Sequence, residues 1–464
     1  MPAACAEHPF ARNEGTVPSP TASAFPPTEP IPVHRGTPSL RDSFSSLQVI
    51  NYRRFQGSQL LAHTAGWMQR IATDWLVLEI TGNIAAVGLT IFLQWGPMLL
   101  LGPYGGVIAD RFSKRKLLMG VYTVFGLLSA LLATLALTGV VELWHVYAIS
   151  VVIGCVFVVE SPARVVLVSE MVEPRLLQNA ISLNASVFHF GGFIGPAVAG
   201  VIIAVAGSGW AIGVNALAAL VVVITLATLR SDELRIIPVQ PRQSGQIRQA
   251  LRYARSKPTI FWPMVMLSFV AVFGMSLPVI LTGFANEVYE TGSTGYGLYT
   301  SLVAIGALTG ALLSTRLRTL RLRTLIAAAM IYGTLQAIAG LAPWYGMFLA
   351  VLVGIGIFRL VYAIMADSLV QLSCNPGIRG RVMSFYVIIM VGGQAIGGPL
   401  MGGLAELLGP QTALVISGAV PALAAVVIAA LIARSGSLRL QVRLKRGESI
   451  VSIVARSQVK PSER

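Results

Sequence analysis

Ionisable side chains inside otherwise apolar segments are the residues of this chain best placed to do chemistry. Arg70 and Asp74 lie four residues apart in one segment, and Glu160 and Arg164 repeat that spacing in another. Side chains at this spacing meet on one face of a helix. In a low-dielectric setting each partner keeps the other charged, and removal of one favours the neutral form of its neighbour. A carboxylate whose partner can be exchanged in this way is suited to taking up and releasing a proton.

A third apolar segment carries Arg359 and Asp367. A charge in hydrocarbon is costly, so each of these residues is a candidate for coupling protons to a substrate. The alternative is a static ion pair that only joins helices, and the sequence leaves this open for each pair. Asp367 also lies near the end of its segment, where contact with water would explain it. We interpret His63 and His189 as ordinary interhelical hydrogen-bonding groups.

The segments that must position these residues are unusually apolar. Of the 464 residues, 55% are hydrophobic and 11% are charged, whereas a soluble protein carries about a quarter charged residues. Blocks of 18 or more apolar residues are long enough to cross a membrane. The sequence therefore predicts an all-α polytopic membrane protein with twelve transmembrane helices, over residues 56–80, 85–109, 117–138, 143–168, 177–206, 210–229, 259–285, 295–315, 324–342, 344–372, 382–405 and 411–433.

A polar stretch divides these blocks into two sets of six, which we predict to be related halves. Gly154 and Pro174 in the first half have the same spacing as Gly356 and Pro376 in the second. Internal repeats of this kind are usual in secondary transporters. The predicted organisation is a disordered cytoplasmic tail (1–45), an N-terminal half (50–230), a linker with a basic amphipathic helix (231–258), a C-terminal half (259–434) and a basic cytoplasmic tail (435–464).

The net charge of +15 raises the question of nucleic-acid binding, and the location of the basic residues answers it. Most of them lie in the two tails and in short loops after even-numbered segments, whereas the loops after odd-numbered segments carry glutamates. By the positive-inside rule both termini are cytoplasmic, and nucleic acid is not an expected partner. The three cysteines and five histidines are scattered, so we expect no metal site and no cofactor.

The loop between the second and third segments has a specific spacing. It resembles the signature loop of the major facilitator superfamily, G-x-x-x-D-R-x-G-R-K/R-K/R, with Ser113 where that family has glycine. The resemblance implies a cytoplasmic gating loop whose Asp110 contacts the far half. The second half has no equivalent acid. The residues of this gating loop are Gly106, Asp110, Arg111, Lys114, Arg115 and Lys116.

A glycine–proline motif occurs at corresponding places in the fifth and eleventh segments. Proline removes a helix hydrogen bond and glycine permits close approach, so we predict a bend and a tight contact. The motif is similar to one that the superfamily associates with exporters that exchange substrate for protons. Its residues are Gly191, Gly195, Pro196 and Gly200 in the first half and Gly398, Pro399, Gly402 and Gly403 in the second.

Further matches over residues 50–434 resemble the enterobactin-exporter-like branch of the superfamily. They include Trp67–Asp74, Ser161–Arg164 and Arg379–Ser384. The branch implies efflux of siderophores, macrolides or other amphipathic compounds, and the superfamily fold places helices 1, 4, 7 and 10 around a central cavity. One departure is that Arg164 lacks the R-x-x-x-G context of the proton-linked arginine.

The sequence thus predicts a secondary-active exporter in the bacterial inner membrane, working by alternating access. Its expected partners are the lipid bilayer, protons and a small amphipathic substrate, and we expect a monomer that is not an enzyme. The alternative within transport is a proton-coupled uptake symporter. A non-transporting receptor would need a sizeable soluble domain, which the short tails do not supply, and no catalytic cluster suggests a membrane-embedded enzyme.

Overall fold

A computed structural model describes residues 31–32, 42–230, 233–234, 246–314, 319–435, 438–442 and 451–455. Within these ranges fourteen α-helices account for most of the chain. They are α1 Ile50–Thr81, α2 Ile84–Arg111, α3 Lys114–Leu137, α4 Leu143–Met171, α5 Pro174–Ala206, α6 Ser208–Thr228, α7 Gln246–Ser256, α8 Pro258–Phe269, α9 Leu277–Gly283, α10 Gly292–Ser314, α11 Leu322–Gly340, α12 Tyr345–Ser373, α13 Pro376–Leu408 and α14 Pro410–Ser435.

The helices follow the predicted order: α1–α6 form the N-terminal half, α7 lies in the linker, and α8–α14 form the C-terminal half. Eleven spans are long and apolar enough to cross a membrane in the described part of the chain, so the predicted count of twelve is not confirmed. The predicted span missing from this set is the one in α1, which has 32 residues but carries charges along its length. Arg70 and Asp74, two of the candidate residues, lie on this helix and contribute to its polarity.

The seventh predicted segment lies within one candidate span, Pro258–Val288, which departs from regular α-helix inside the membrane. A π-helical turn, Val270–Gly274, separates α8 from α9, and a second one, Phe284–Val288, follows α9. Pro278 near the start of α9 has no N–H to donate, so the α-helical ladder cannot run through it. The hydroxyl of Tyr332 donates to the carbonyl oxygen of Gly274 at 2.7 Å and fixes the break.

The described tail segments form short strands. Leu438–Val442 (β3) pairs antiparallel with Val451–Ala455 (β4), and Ile31–Pro32 (β1) pairs with Thr319–Leu320 (β2). A 3-10 helix, Asp42–Gln48, leads into α1, and the backbone N–H of Ser46 donates to Asn179 Oδ1 on α5 at 3.0 Å. Most of the two tails lies outside the described residues, so the disorder of 1–45 stays a prediction.

The two halves meet through two helix pairs that occupy equivalent places, α2 with α13 and α5 with α10. Glycines let the backbones touch: a Cβ on Gly88 would collide with the carbonyl of Gly398, and one on Gly200 would collide with Gly297. Both contacts lie toward the end of the bundle that carries Glu142 and Glu290, here called the acidic end. The opposite end, with the gating loop and the linker, is the basic end.

A further link across the halves lies at the acidic end. The backbone N–H of Ile84 at the start of α2 donates to Glu406 Oε2 on α13 at 2.9 Å. Ile84 also packs with Pro410 around Gly283, where an added Cβ would clash with both. The molecule is therefore closed between its halves at the acidic end.

Because the closed form depends on a glycine contact, a side chain at Gly200 is expected to open it. Overpacking of a tight contact costs about 1–3 kcal/mol, and Gly200→Leu should therefore shift the population toward the form open at the acidic end. Cysteine substituted for Thr300, which is buried nearby on α10, should react about ten times faster with an impermeant maleimide in a background without native cysteines.

The matched control for this substitution is Gly403→Leu. Gly403 corresponds to Gly200 in the repeated motif, yet nothing lies within 4 Å of its added Cβ. The labelling rate should not change there. Equal rates in the Gly200→Leu and parent proteins would contradict the assignment of Gly200 to the closed contact.

Candidate functional site

A cavity lies inside the N-terminal half, enclosed by helices α1 to α6. One face of α1 supplies much of its wall, because His63, Gly66, Trp67 and Arg70 follow the helical repeat. The space is about 130 Å³, and Gly66 in its wall is exposed. Trp95, Phe125, Phe157 and Phe188 add aromatic rings to the wall.

Three of the predicted site residues line this cavity: Arg70, Glu160 and Arg164. Residues of α1 and α4 are therefore brought together as the sequence suggested. Arg359 and Asp367 on α12 lie in the other half and do not line it. Asp367 Oδ2 accepts a hydrogen bond from Gln371 Nε2, one turn along the same helix, at 2.8 Å.

The guanidinium of Arg70 does not pair with Asp74, contrary to the prediction from their spacing. Among the described residues, no ion pair within 4.0 Å includes either side chain. Instead the guanidinium carbon lies 4.8 Å from the centre of the Trp67 ring and 4.5 Å from that of Trp95. Such cation–π contacts stabilise a desolvated cation. Arg70 is thus held by two indoles and lines the cavity.

Glu160 and Arg164 do form the predicted pair. Arg164 Nε lies 2.8 Å from Glu160 Oε1, and the two side chains are 12% and 4% exposed. Arg164 Nη1 also donates to Asn184 Oδ1 at 3.4 Å, and the Tyr122 hydroxyl donates to Glu160 Oε1 at 3.0 Å. Oε1 of Glu160 therefore accepts from two donors, and one of them is a cation.

Asp74 has a different environment, although it is also fully buried. Its Oδ2 accepts a long hydrogen bond, 3.4 Å, from the hydroxyl of Tyr296, and its Oδ1 has no partner among the described residues. Tyr296 belongs to α10 of the C-terminal half, and its ring stacks on Trp75 at 6.0 Å. Asp74 consequently lies at the contact between the halves, toward the acidic end.

Asp74 has few hydrogen-bond partners for a buried carboxyl group. An ionised carboxylate out of water needs several strong hydrogen bonds or a close cation. Asp74 has one long hydrogen bond, while Arg70 one turn away faces the indoles. Glu79, also on α1, shows the contrast: it accepts from Trp75 Nε1 at 2.6 Å and from Ser208 Oγ at 3.0 Å.

Sequence reasoning missed a cluster of uncharged polar residues that joins α1, α3 and α6. Gln69 Oε1 accepts from Ser129 Oγ at 2.7 Å and from Asn215 Nδ2 at 2.5 Å. Gln69 and Asn215 also line the cavity. The sequence did contain a signal for this cluster, because amide side chains are rare in membrane helices. A search for charged residues alone misses it.

The predicted gating-loop residues lie around the join of α2 and α3, at the basic end. Arg115 donates from Nε to the carbonyl of Leu226 and from Nη2 to that of Ala227, at 2.6 Å each. It thereby satisfies carbonyls at the C-terminal end of α6, where a cation is favourable. The side chain of Asp110 lies outside the described residues, so its contact with the far half stays a prediction.

The motif glycines occupy close helix contacts. An added Cβ on Gly191 or Gly195 would clash with Thr64 of α1, and one on Gly402 would crowd Ile84 of α2. Helices α5 and α13 continue through Pro196 and Pro399, and the predicted bend stays a prediction.

The predicted interhelical hydrogen bond of His63 is not formed through its Nε2, which has no partner among the described residues. Its ring meets Phe188 edge to face at 5.2 Å instead. The side chain of His189 lies outside the described residues.

Comparison with known proteins gives a family match over most of the chain. The model of a family described as transmembrane secretion effector matches residues 42–449. The chain is 26% identical over 269 residues to the staphyloferrin A transporter of Staphylococcus aureus, which covers 55% of this chain and 64% of that protein. The match thus spans just under two thirds of that relative's length.

A second relative is aligned over more of its length. The chain is 25% identical over 353 residues to the enterobactin exporter of Salmonella typhi, covering 75% of this chain and 84% of that one. Among solved structures, a bacterial homolog of the human lysosomal transporter Spinster, inward-facing and occupied, matches with a TM-score of 0.65 and 15% identity. It covers 83% of this chain and 97% of that chain, and at this identity it shows the fold alone.

Proposed function

The chain belongs to the transmembrane secretion effector family of the major facilitator superfamily, and on that premise we propose that it exports siderophores or similar amphipathic molecules in exchange for protons. Efflux is favoured over uptake because the relative with the longer alignment is an exporter. The basic loops support cytoplasmic termini in a bacterial inner membrane. We further propose that the chain acts as a monomer and catalyses no reaction.

The observation that carries the proton coupling is the position of Asp74. This buried carboxyl with an unpartnered oxygen lies where the halves touch at the acidic end. The acidic end faces outward in the proposed orientation. A protonated Asp74 is compatible with the closed outer contact, whereas an ionised one is left without adequate partners there.

If the outer contact closes only when Asp74 is protonated, export follows by alternating access. In the outward-open form Asp74 takes a proton from outside, and the neutral group allows the α1–α10 contact to close. The proton then leaves toward the inside as substrate enters from the basic end. The ionised Asp74 disfavours the outer contact, so the loaded protein opens outward and releases substrate. Each cycle moves a proton in and a substrate molecule out.

Transport into everted membrane vesicles tests the proposal. Vesicles from cells that overproduce the chain, energised by respiration, should accumulate enterobactin or staphyloferrin A at least about ten-fold over vesicles without it. A protonophore should abolish the accumulation, because the proton gradient drives export. Accumulation that persists at full rate with the protonophore would overturn proton coupling. Absence of accumulation of either siderophore would overturn the substrate class.

A further inference from the structure

The outer surface of the N-terminal half carries an apolar groove that the transport site does not use. It has a volume of about 530 Å³ and lies at the basic end, where α2, α3 and α4 meet. Ile108 and Phe112 line one side, Val156 lines another, and Gly120 leaves open space along α3. The opposite face of α3, with Tyr122 and Phe125, lines the internal cavity. The groove therefore faces away from the transport path, toward the surrounding membrane.

A single charge stands at the edge of this groove. Among the described lining residues, Lys116 alone is charged, and it is exposed at the first turn of α3. No described carboxylate lies within 4.0 Å of its ammonium group. The site thus combines a long apolar surface with a cation at one end that has no ion-pair partner among the described residues.

The length of the groove is close to the depth of the hydrocarbon layer in one leaflet of a bilayer. The groove follows α3 from Lys116 to Val124, which is about 12 Å at 1.5 Å per residue. The hydrocarbon layer of one leaflet is about 15 Å deep. Lys116 would therefore stand at the headgroup level while Val124 lies near the middle of the membrane. A membrane helix of a partner protein would extend over about 30 Å and meet the groove along less than half of its length.

We propose that this groove binds one acyl chain of an anionic phospholipid whose headgroup phosphate pairs with Lys116. The basic end faces the cytoplasmic leaflet in the orientation given above, where anionic lipids attract basic side chains. Phe112 lies between α2 and α3, and Lys116 in the first turn of α3 is one of the predicted gating-loop residues, so the bound lipid also ties this region to the inner leaflet.

Native mass spectrometry of the full chain, released from detergent, measures this lipid directly. The probes are phosphatidylglycerol and phosphatidylcholine with identical oleoyl chains, so only the headgroup differs. The parent protein should retain one phosphatidylglycerol molecule with about a five-fold preference over phosphatidylcholine, since a lysine near the surface contributes about 1 kcal/mol. Glycerol phosphate, which has no acyl chains, should not bind.

Two substitutions separate the headgroup from the chain. Lys116→Gln should remove the preference for phosphatidylglycerol, and Gly120→Leu, which fills the groove, should lower retention of both lipids. Arg434→Gln changes an exposed cation at the same end, and Gly57→Leu fills open space on α1. Neither control should alter retention.

Parent-like retention and preference in both Lys116→Gln and Gly120→Leu would overturn the proposal. So would equal retention of the two lipids by the parent protein, since the headgroup would then play no part. Because no transport is measured, these outcomes are independent of the function proposed above.

Discussion

Asp74→Asn is expected to abolish proton-driven export while leaving the protein folded. Asparagine has the size of a protonated aspartate and no charge, so it should mimic the state that closes the outer contact with Tyr296. An unpartnered buried charge costs several kcal/mol, and without that penalty the closed form should dominate at every pH. Accumulation of siderophore in everted vesicles should fall to the level seen with a protonophore.

Whether the outer contact is open or closed can be measured without any substrate. Cysteine in place of Thr300 should become more accessible to an impermeant maleimide as the pH rises, because deprotonation of Asp74 opens the acidic end. The increase should exceed the change from thiol ionisation alone, which the same cysteine in the Asp74→Asn protein reports. In Asp74→Asn the labelling rate should rise with pH only as far as thiol ionisation requires.

Glu79→Gln is the matched control for Asp74. Glu79 lies on the same helix near the acidic end, but its carboxylate already has two short hydrogen bonds, from Trp75 and Ser208. Export should remain driven by the proton gradient in this variant. Proton-driven export that survives in Asp74→Asn would exclude Asp74 as the proton carrier.

Much of the fold could be predicted because the hydrocarbon core imposes it. Helix positions and the order of the segments follow from where apolar residues occur, and the all-helical fold agrees with them. The break at Gly274 could not be predicted, because it depends on a hydroxyl from Tyr332 on another helix. Eleven spans are counted in the described part of the chain because its charges make α1 polar by composition. This helix is nevertheless long enough to cross a membrane.

The site was harder to predict because spacing fixes which residues share a helix face and not which partner each one chooses. The same i,i+4 spacing gives an ion pair at Glu160–Arg164 and none at Arg70–Asp74. The difference comes from Trp95 on α2, which offers Arg70 an aromatic face from outside its own helix. The role of Tyr296 depends on contact between the halves, which the sequence of either half does not reveal.

The Glu160–Arg164 pair gives the second large effect, on stability and not on coupling. Removal of one partner of a buried ion pair leaves an uncompensated charge and costs about 3–5 kcal/mol, whereas replacement of both by uncharged residues is often neutral. Glu160→Gln and Arg164→Leu should therefore each lower the free energy of unfolding strongly, and the double variant should recover most of the loss. Titration with denaturing detergent, followed by far-UV circular dichroism, measures the three values.

A matched double-mutant cycle at the exposed pair Arg230 and Glu233 gives the reference for this measurement. Their side chains are 56% and 44% exposed at 3.0 Å separation, and exposed pairs contribute about 0–1 kcal/mol. The coupling free energy there should be several times smaller than at Glu160 and Arg164. The Glu160→Gln/Arg164→Leu protein should also retain proton-driven export, because Asp74 is intact. If it is stable but uncoupled from the proton gradient, Glu160 carries the proton, and the pair on α4 is the exchangeable one.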